Sequence, residues 1–265
     1  MSAQSPGGAP AGRLEAGEVR AMFDRIAGVY DLMNSAMTAG LHHRWRERAA
    51  DLARVGPGSR VLDVATGTGD LALALARRVA PGGEVLGADF AEGMLARARA
   101  KADARGGDVR PRFELADVLA LPYPDDRFDA ATVGFGARNF DDLGRGLAEM
   151  ARVVRPGGRV VVLEITTPTR PPLSLFYRLW FDRLVPALGH LAAALARSHD
   201  RAVAQAYTYL PNSVKRFPPP AELAAEMQRA GLEEIAYLLT AGGIVAIHAG
   251  TVAAHAPAAG ARRSS

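Results

Sequence analysis

One stretch decides what this chain can fold into: V-L-D-V-A-T-G-T-G-D-L-A, Val61 to Ala72. Val61, Leu62 and Val64 form a short apolar run of the kind that makes a strand buried in a parallel sheet. Gly67 and Gly69 break the run, and apolar residues resume at helical spacing from Leu71 to Val79. Strand, glycine turn and helix together bring backbone N–H groups and a helix N-terminus up to a ligand. The expectation is that a side chain at either glycine would push that ligand away.

A G-x-G-x-x-A turn alone is shared by nicotinamide dehydrogenases, flavoproteins and methyltransferases. Two acids narrow the choice. Asp63 sits inside the end of the strand, where a carboxylate would repel a pyrophosphate but suits the ammonium of a methionine-like group. Glu84 to Ala88 reads as the next strand and ends in Asp89, about 20 residues past Gly69, where an acid can accept both hydroxyls of a ribose. The plainer role for Asp89 is to cap the following helix.

At 265 residues the chain suits one domain of ordinary size, and 49% hydrophobic with 23% charged residues is a globular composition. Cysteine is absent, which excludes disulfides and thiolate metal sites. The first residues lack the basic start and apolar core of a signal peptide, and no apolar run approaches the roughly 20 residues that span a bilayer. A cytoplasmic protein is expected. The pI near 9.7 invites a nucleic-acid reading, yet the net charge is only +4. Lys101 and Lys215 are the only lysines, and the arginines are dispersed among acids. With no basic block or aromatic-studded basic stripe, nucleic acid is not expected as a partner; contact of a basic face with anionic lipid stays open.

Residues 1–15 are Gly, Ala, Pro and Ser rich and are expected to be disordered, as is the tail 254–265. Between them the pattern predicts a single domain, 16–253. A helix carrying Val19, Met22, Phe23 and Ile26 opens it, and Tyr30 to Arg46 follows, dense in aromatics and histidine. This N-terminal helical cover, 16–56, precedes the first strand and is placed to cover a site or to pack at the sheet edge. Strands and helices then alternate: a helix over Ala91–Ala104, a strand over Val109–Leu115, a strand over Phe128–Val133, a helix over Asp141–Val153 ended by Pro156-Gly157-Gly158, and a strand over Arg159–Ile165. G-F-G-A-R-N, Gly134 to Asn139, falls at the C-terminal end of a strand, where open α/β sheets place ligands. The stretch 166–220 does not alternate and is taken as a helical cap insert. A helix from Glu222 to Ala230 and an antiparallel hairpin, Ile235–Leu239 with Ile244–His248, close the domain.

The glycine turn, the acid at Asp89 and R-V-V-R-P-G-G resemble a class I S-adenosylmethionine-dependent methyltransferase. F-D-R-I-A-G-V-Y-D-L-M-N, G-L-H-H-R-W, F-G-A-R-N-F, Y-T-Y-L-P-N-S-V-K-R-F-P and T-A-G-G-I-V-A-I-H-A-G resemble, more narrowly, the ubiquinone/menaquinone biosynthesis C-methyltransferases over nearly the whole chain. The resemblance implies an α/β, Rossmann-like fold, a mostly parallel seven-stranded sheet with a C-terminal antiparallel hairpin and a helical cap. It implies S-adenosyl-L-methionine as cofactor, held by Asp63, Gly67, Thr68, Gly69, Asp89, Asp117, Val118 and Gly134. At Gly134 the family often has serine, so only backbone is offered here.

The implied reaction is transfer of a methyl group to a ring carbon of a polyprenylated hydroquinone, 2-demethylmenaquinol first and the benzoquinol intermediate of ubiquinone second. Direct displacement needs alignment, exclusion of water and an electron-rich ring. Arg138, Tyr30, Asp31 and His42 are the candidates at the mouth. Arg138 is preferred for stabilising phenolate charge; its plainer role is an ion pair with Asp141 or Asp142. His42 is as readily a packed helix-end histidine, and with His43 adjacent and no third ligand at metal spacing, no metal is expected. Phe176, Tyr177, Trp180 and Phe181 predict a greasy entry and a peripheral face at the inner side of a membrane, or else ordinary packing beneath the cap. A homodimer is compatible with all of this. A nicotinamide dehydrogenase and a non-catalytic quinone- or lipid-binding module are the readings from other classes; Asp63 argues against the first and the complete acid set against the second.

Overall fold

The apolar runs that punctuate the chain become the seven strands of one sheet. The computed structural model describes residues 16–27, 30–38, 40–169, 171, 173–179, 209 and 211–254. The elements are α1 (Ala16–Ile26), α2 (Tyr30–Thr38), α3 (Leu41–Leu52), β1 (Arg60–Val64), α4 (Asp70–Val79), β2 (Glu84–Asp89), α5 (Glu92–Arg105), β3 (Arg112–Leu115), β4 (Phe128–Gly134), α6 (Leu143–Arg152), β5 (Val154–Ile165), α7 (Leu173–Leu179), α8 (Pro220–Arg229), β6 (Leu232–Thr240) and β7 (Val245–Val252). The strand order is β3-β2-β1-β4-β5-β7-β6. Five strands run parallel, while β7 enters antiparallel between β5 and β6. This is the mostly parallel, hairpin-closed sheet that the resemblance implies.

Successive residues of a strand face opposite ways, and the core divides accordingly. Val61, Val85, Ala130 and Val161 meet α3, α4 and α5 on one face. Leu62, Leu86, Ala131 and Val162 meet α6 and α8 on the other. The strands are apolar in continuous runs because both faces are covered. Each fully buried Leu or Val side chain contributes about 1.5–3 kcal/mol. The first helix lies outside this sandwich: Met22 and Ile26 pack on Ala91 and Met94 at the start of α5.

The hairpin strands run longer than expected, as Leu232–Thr240 and Val245–Val252, and two other boundaries differ from the sequence pattern for a physical reason. The strand expected from Val109 forms only from Arg112, where pairing to β2 begins at Leu86. Pro156-Gly157-Gly158 does not separate α6 from β5. Pairing already starts at Val154 opposite Phe128, and the register then shifts between Phe128 and Ala130, so the three residues form a bulge inside the strand. Asp129 fixes the bulge by accepting from the Arg60 backbone N–H (2.7 Å) and from Arg155 Nε (2.6 Å). The expected disordered ends, 1–15 and most of 254–265, and most of the expected cap, including Trp180 and Phe181, lie outside the described residues. Of the cap, α7 carries exposed Leu175 and Leu179 and a buried Tyr177.

A Cβ at Gly158 would stand 2.6 Å from the Asp129 carbonyl oxygen and 2.5 Å from Val154 Cγ1. Backbone cannot yield there as a side-chain tip would. Gly158→Ala is expected to cost roughly 1–3 kcal/mol, read as a lower urea midpoint at unchanged slope; an unchanged midpoint would show that the bulge is not rigid.

Candidate active site

Chain order reverses direction between β1 and β4: β1, β2 and β3 step outward on one side, and β4 and β5 on the other. Loops leaving adjacent strands at such a point diverge and open a crevice at their C-terminal ends. The loop after β1 contains Ala65 at φ 46°, and the loop after β4 contains Phe135 at φ 62°. A non-glycine residue in the left-handed region costs of order 1 kcal/mol and clusters at functional sites. The loops also touch, since a Cβ on Gly136 would lie 2.5 Å from Ala65 Cβ.

Two cavities open here and share Ala65, Asp89, Phe90, Gly136 and Asn139 in their walls. The outer one, about 460 Å³, is within the range of small-molecule sites and is walled by Leu115, Ala116, Asp117, Val118 and Leu119. The inner one, about 40 Å³, is reached by Arg46, Asp63, Gly67, Thr68, Asp70 and Gly134.

Asp63 is 1% exposed at the cavity floor. Its two oxygens accept hydroxyl protons from Thr66 and Thr132, each at 2.6 Å. Burial pushes its pKa up to about 6, against the pull of those hydrogen bonds. Asp89 ends β2 and accepts from the Gly67 N–H at 2.8 Å and the Ala91 N–H at 3.0 Å. It both caps the turn into α5 and lines each cavity. Burial raises its pKa, and the backbone N–H groups moderate the rise. Asp117 caps a short 3-10 turn, Val118–Ala120, by accepting from the Leu119 N–H at 2.9 Å, and Val118 beside it lines the outer cavity.

The two glycines of the turn do different work. At Gly67 (φ 55°) a Cβ would meet nothing within 4 Å and would project into open space beside the inner cavity. At Gly69 (φ 80°) it would strike Ala98 Cβ and the Phe113 ring at 2.9 Å. The expectation that both glycines make room for a ligand is therefore corrected: Gly69 makes room for α5 and β3. The Thr68 hydroxyl is likewise committed elsewhere, donating to Asp31 (2.7 Å) and accepting from Lys101 (2.9 Å). Gly134 faces Leu71, whose Cδ2 would be 3.1 Å from an added Cβ, so a serine there would require Leu71 to shift.

Among the mouth candidates, the structure brings Asp31 to the glycine turn, bound to Thr68 and, at 2.7 Å, to Lys101. Tyr30 begins α2, and its side chain lies outside the described residues. His42 is buried and its Nδ1 is hydrogen-bonded to Thr38 Oγ1 at 2.7 Å. Burial, aided by Arg46, lowers its pKa to about 4, so it is neutral near pH 7. Arg138 pairs with neither Asp141 nor Asp142 among these contacts. Its Nη1 donates to both oxygens of buried Glu164 at 3.1 and 3.0 Å and to the Phe135 carbonyl, pinning the loop after β4 to β5. Neither cavity has Arg138 in its wall.

Four residues of the site are not among the candidates read from the sequence. Lys101 on α5 reaches Asp31, Thr68 and Asp70 at once. Arg46 on α3 reaches the inner cavity, and Asn139 lines both cavities while accepting from the Tyr209 hydroxyl at 3.0 Å. Asp70 is brought beside His42 and His43, with ligand atoms within 4.8 Å of one another. The adjacency of the histidines in sequence hides that acid. Its charge is already matched by Lys101 at 2.9 Å and Arg46 at 3.7 Å, cations that would repel a metal ion. Burial raises the Asp70 pKa, and those two cations more than reverse the effect.

Comparison with known proteins follows the same lines. The sequence model of the ubiE/COQ5 methyltransferase family matches residues 12–252. A Thermus thermophilus protein named demethylmenaquinone methyltransferase is 51% identical over 86% of this chain and 99% of its own length. A Deinococcus radiodurans protein of the same name is 46% identical, covering 84% and 88%. A Geobacter sulfurreducens protein named ubiquinone/menaquinone biosynthesis C-methyltransferase UbiE is 41% identical, covering 89% of each. Among solved structures, an Aquifex aeolicus SAM-dependent methyltransferase aligns over 91% of this chain and 100% of its own at TM-score 0.55 and 16% identity. The [4+2]-cyclase SpnF aligns over 90% and 96% at TM-score 0.61 and 20% identity. At such identities these two speak to the fold alone.

The Lys101 contacts join the Thr68–Asp31 hydrogen bond in linking α2 to the glycine turn. Lys101→Met is expected to speed hydrogen exchange of the Tyr30–Thr38 amides several-fold, as loss of about 1 kcal/mol of partly exposed ion pairing would. Unchanged exchange would mean that α2 is held by other contacts.

Proposed function

The chain belongs to the ubiE/COQ5 methyltransferase family, and from that premise we propose that it transfers a methyl group from S-adenosyl-L-methionine to a ring carbon of 2-demethylmenaquinol, giving menaquinol. The observation that carries this reading is the two-part cleft. Its floor presents a deeply buried carboxylate, Asp63, held only by neutral hydroxyls, and its mouth opens into a mostly apolar cavity of nucleoside dimensions. A cationic amino-acid end suits the floor, a ribose suits Asp89, and an adenine suits the Asp117–Leu119 wall. The cofactor would supply an electrophilic methyl on a sulfonium; the chain's residues do the rest.

Asp63 holds the ammonium end, and Asp89 receives the ribose hydroxyls while staying fixed by Gly67 and Ala91. The free oxygen of Asp117 and the backbone at Val118 meet the base. Gly134 and Phe135 form the wall behind the reacting centre. Arg138 is the candidate to stabilise phenolate charge on the substrate ring. Glu164 already shares its charge, so it lowers a ring hydroxyl's pKa less than a lone cation would. Neutral His42 and Asp31 stay at the cover, where closure excludes water.

The isoprenoid tail of such a substrate resides in a bilayer. Among the described residues no helix is long and apolar enough to cross a membrane. Exposed Leu175 and Leu179 lie one turn apart on α7, next to the residues expected to form a greasy entry, and support a peripheral contact at the inner face of a membrane. The relatives carry both the menaquinone and the dual name, so the benzoquinol of ubiquinone synthesis is the second substrate to offer.

Labelled S-adenosylmethionine offered with both reduced quinols is expected to label the naphthoquinol; label in neither would overturn the substrate assignment. Arg138→Gln is expected to lower kcat roughly 100-fold with S-adenosylhomocysteine affinity held within a few-fold, and an unchanged kcat would remove Arg138 from the chemistry. The ammonium requires ionised Asp63, whose pKa burial raises to about 6, above the ordinary carboxylate value. Affinity for S-adenosylhomocysteine is therefore expected to be full above that pH and to fall about tenfold per unit below it. Titration calorimetry should show the slope flattened in Asp63→Asn, and an equal slope in the variant would refute the assignment.

A further inference from the structure

We propose that Arg46 is the anchor for the carboxylate of the amino-acid end of S-adenosylmethionine, opposite Asp63, so that the inner cavity reads a zwitterion. The proposal rests on the cofactor reading above and adds to it a residue from the N-terminal cover.

Arg46 lies on α3, one turn after His42, and its side chain is 8% exposed. The guanidinium reaches the inner cavity and stands 5.4 Å from the Phe135 ring centroid. Its Nη1 is buried and makes no hydrogen bond among the described residues. The acid closest to it, Asp70, is 3.7 Å away, beyond hydrogen-bond reach, and is already bound by Lys101 at 2.9 Å. A buried donor without an acceptor costs about 1–3 kcal/mol, more for a charged group. Such a group in a cavity wall marks where an acceptor belongs.

The surroundings say which acceptor. Asp63, Asp70 and Asp89 all line the same cavity. Three carboxylates would repel a phosphate dianion, so the site does not suit a nucleotide phosphate. A ligand whose single negative charge is accompanied by a positive one suits both signs. The oxygens of Asp63 and Asp89 are held by neutral hydroxyls and backbone N–H groups respectively. Asp63 therefore keeps its charge for an ammonium, and Arg46 Nη1 keeps a proton for the adjacent carboxylate. Phe135 and the α3 helix hold the guanidinium in place, so little side-chain entropy is lost on binding.

The test compares S-adenosylmethionine with decarboxylated S-adenosylmethionine, which keeps the adenosine, the sulfonium and the ammonium and lacks only the carboxylate. Titration calorimetry gives both dissociation constants for the wild type, Arg46→Met and Arg46→Lys, with thermal melting of each unliganded protein to confirm folding. Arg46→Met is expected to weaken S-adenosylmethionine roughly 30-fold or more and the decarboxylated ligand less than 3-fold. Arg46→Lys should recover part of the loss for S-adenosylmethionine alone, and it decides the matter if Arg46→Met does not fold. Equal losses for both ligands would assign Arg46 to holding α3 and overturn the proposal, as would no loss for either. A wild type that binds neither ligand would overturn the cofactor reading itself, whereas a wild type that binds both with equal affinity would overturn only the carboxylate anchor.

Discussion

Everything at the site hangs on how Asp63 is buried. A carboxylate at 1% exposure would normally be neutralised or paired with a cation. Here its oxygens receive one hydroxyl from the turn after its own strand, Thr66, and one from the neighbouring strand, Thr132. Those bonds tie the glycine turn to β4, and so fix the distance between the two loops that form the cleft. They are neutral bonds, and the nearby Arg46 guanidinium offsets the negative charge only in part. The raised pKa is the cost of that arrangement, and an incoming cation is the group that would relieve it.

A second set of contacts holds the outer side of the same turn. Lys101 gathers Asp31 from α2, Thr68 from the turn and Asp70 from α4, and Arg46 stands beyond Asp70. The cover is thus attached to the turn by charges arranged around α4's first residue. The apolar contacts of α1 with α5 are separate. Closing or opening α2 would disturb the ion pairs and the Thr68 hydroxyl while leaving the Asp63 bonds intact. The Asp63 hydrogen bonds and the Lys101 ion pairs are thus separate, and Arg46, which lines the inner cavity and faces Asp70, takes part on both sides.

Much of this was legible in the residues. Strands and helices follow from period and length, and the glycine turn with Asp63 and Asp89 marks where the cleft lies. The bulge at Pro156-Gly157-Gly158 was not legible, because the same three residues end helices as readily as they kink strands. Nor was the role of Gly69, whose constraint comes from Phe113, distant in sequence. The nearer acids Asp141 and Asp142 are not the partners of Arg138, since sequence proximity does not show that the loop after β4 lies against Glu164 near the end of the adjacent parallel strand β5. Lys101 and Arg46 lie outside the glycine-turn motif and Asp70 lies inside it without a role read from it; only the fold sets them beside Asp31 and the histidines.

The comparison with SpnF, a cyclase with a similar chain path, shows why the fold cannot name a reaction. What separates one chemistry from another must lie in side chains that the sheet merely presents. In this chain the presented set is acidic at the floor and mostly apolar around the nucleoside-sized cavity, with Arg20 in the outer wall and, at the floor, a guanidinium left with a proton to give at Arg46. A phosphate-bearing cofactor would meet three carboxylates, and a neutral one would leave Asp63 and Arg46 both unsatisfied. A sulfonium amino acid joined to a nucleoside would satisfy each of these groups at once, and the order of charges along the cleft, from Arg46 and Asp63 outward to Asp89 and Asp117, is the order in which such a molecule would present its parts.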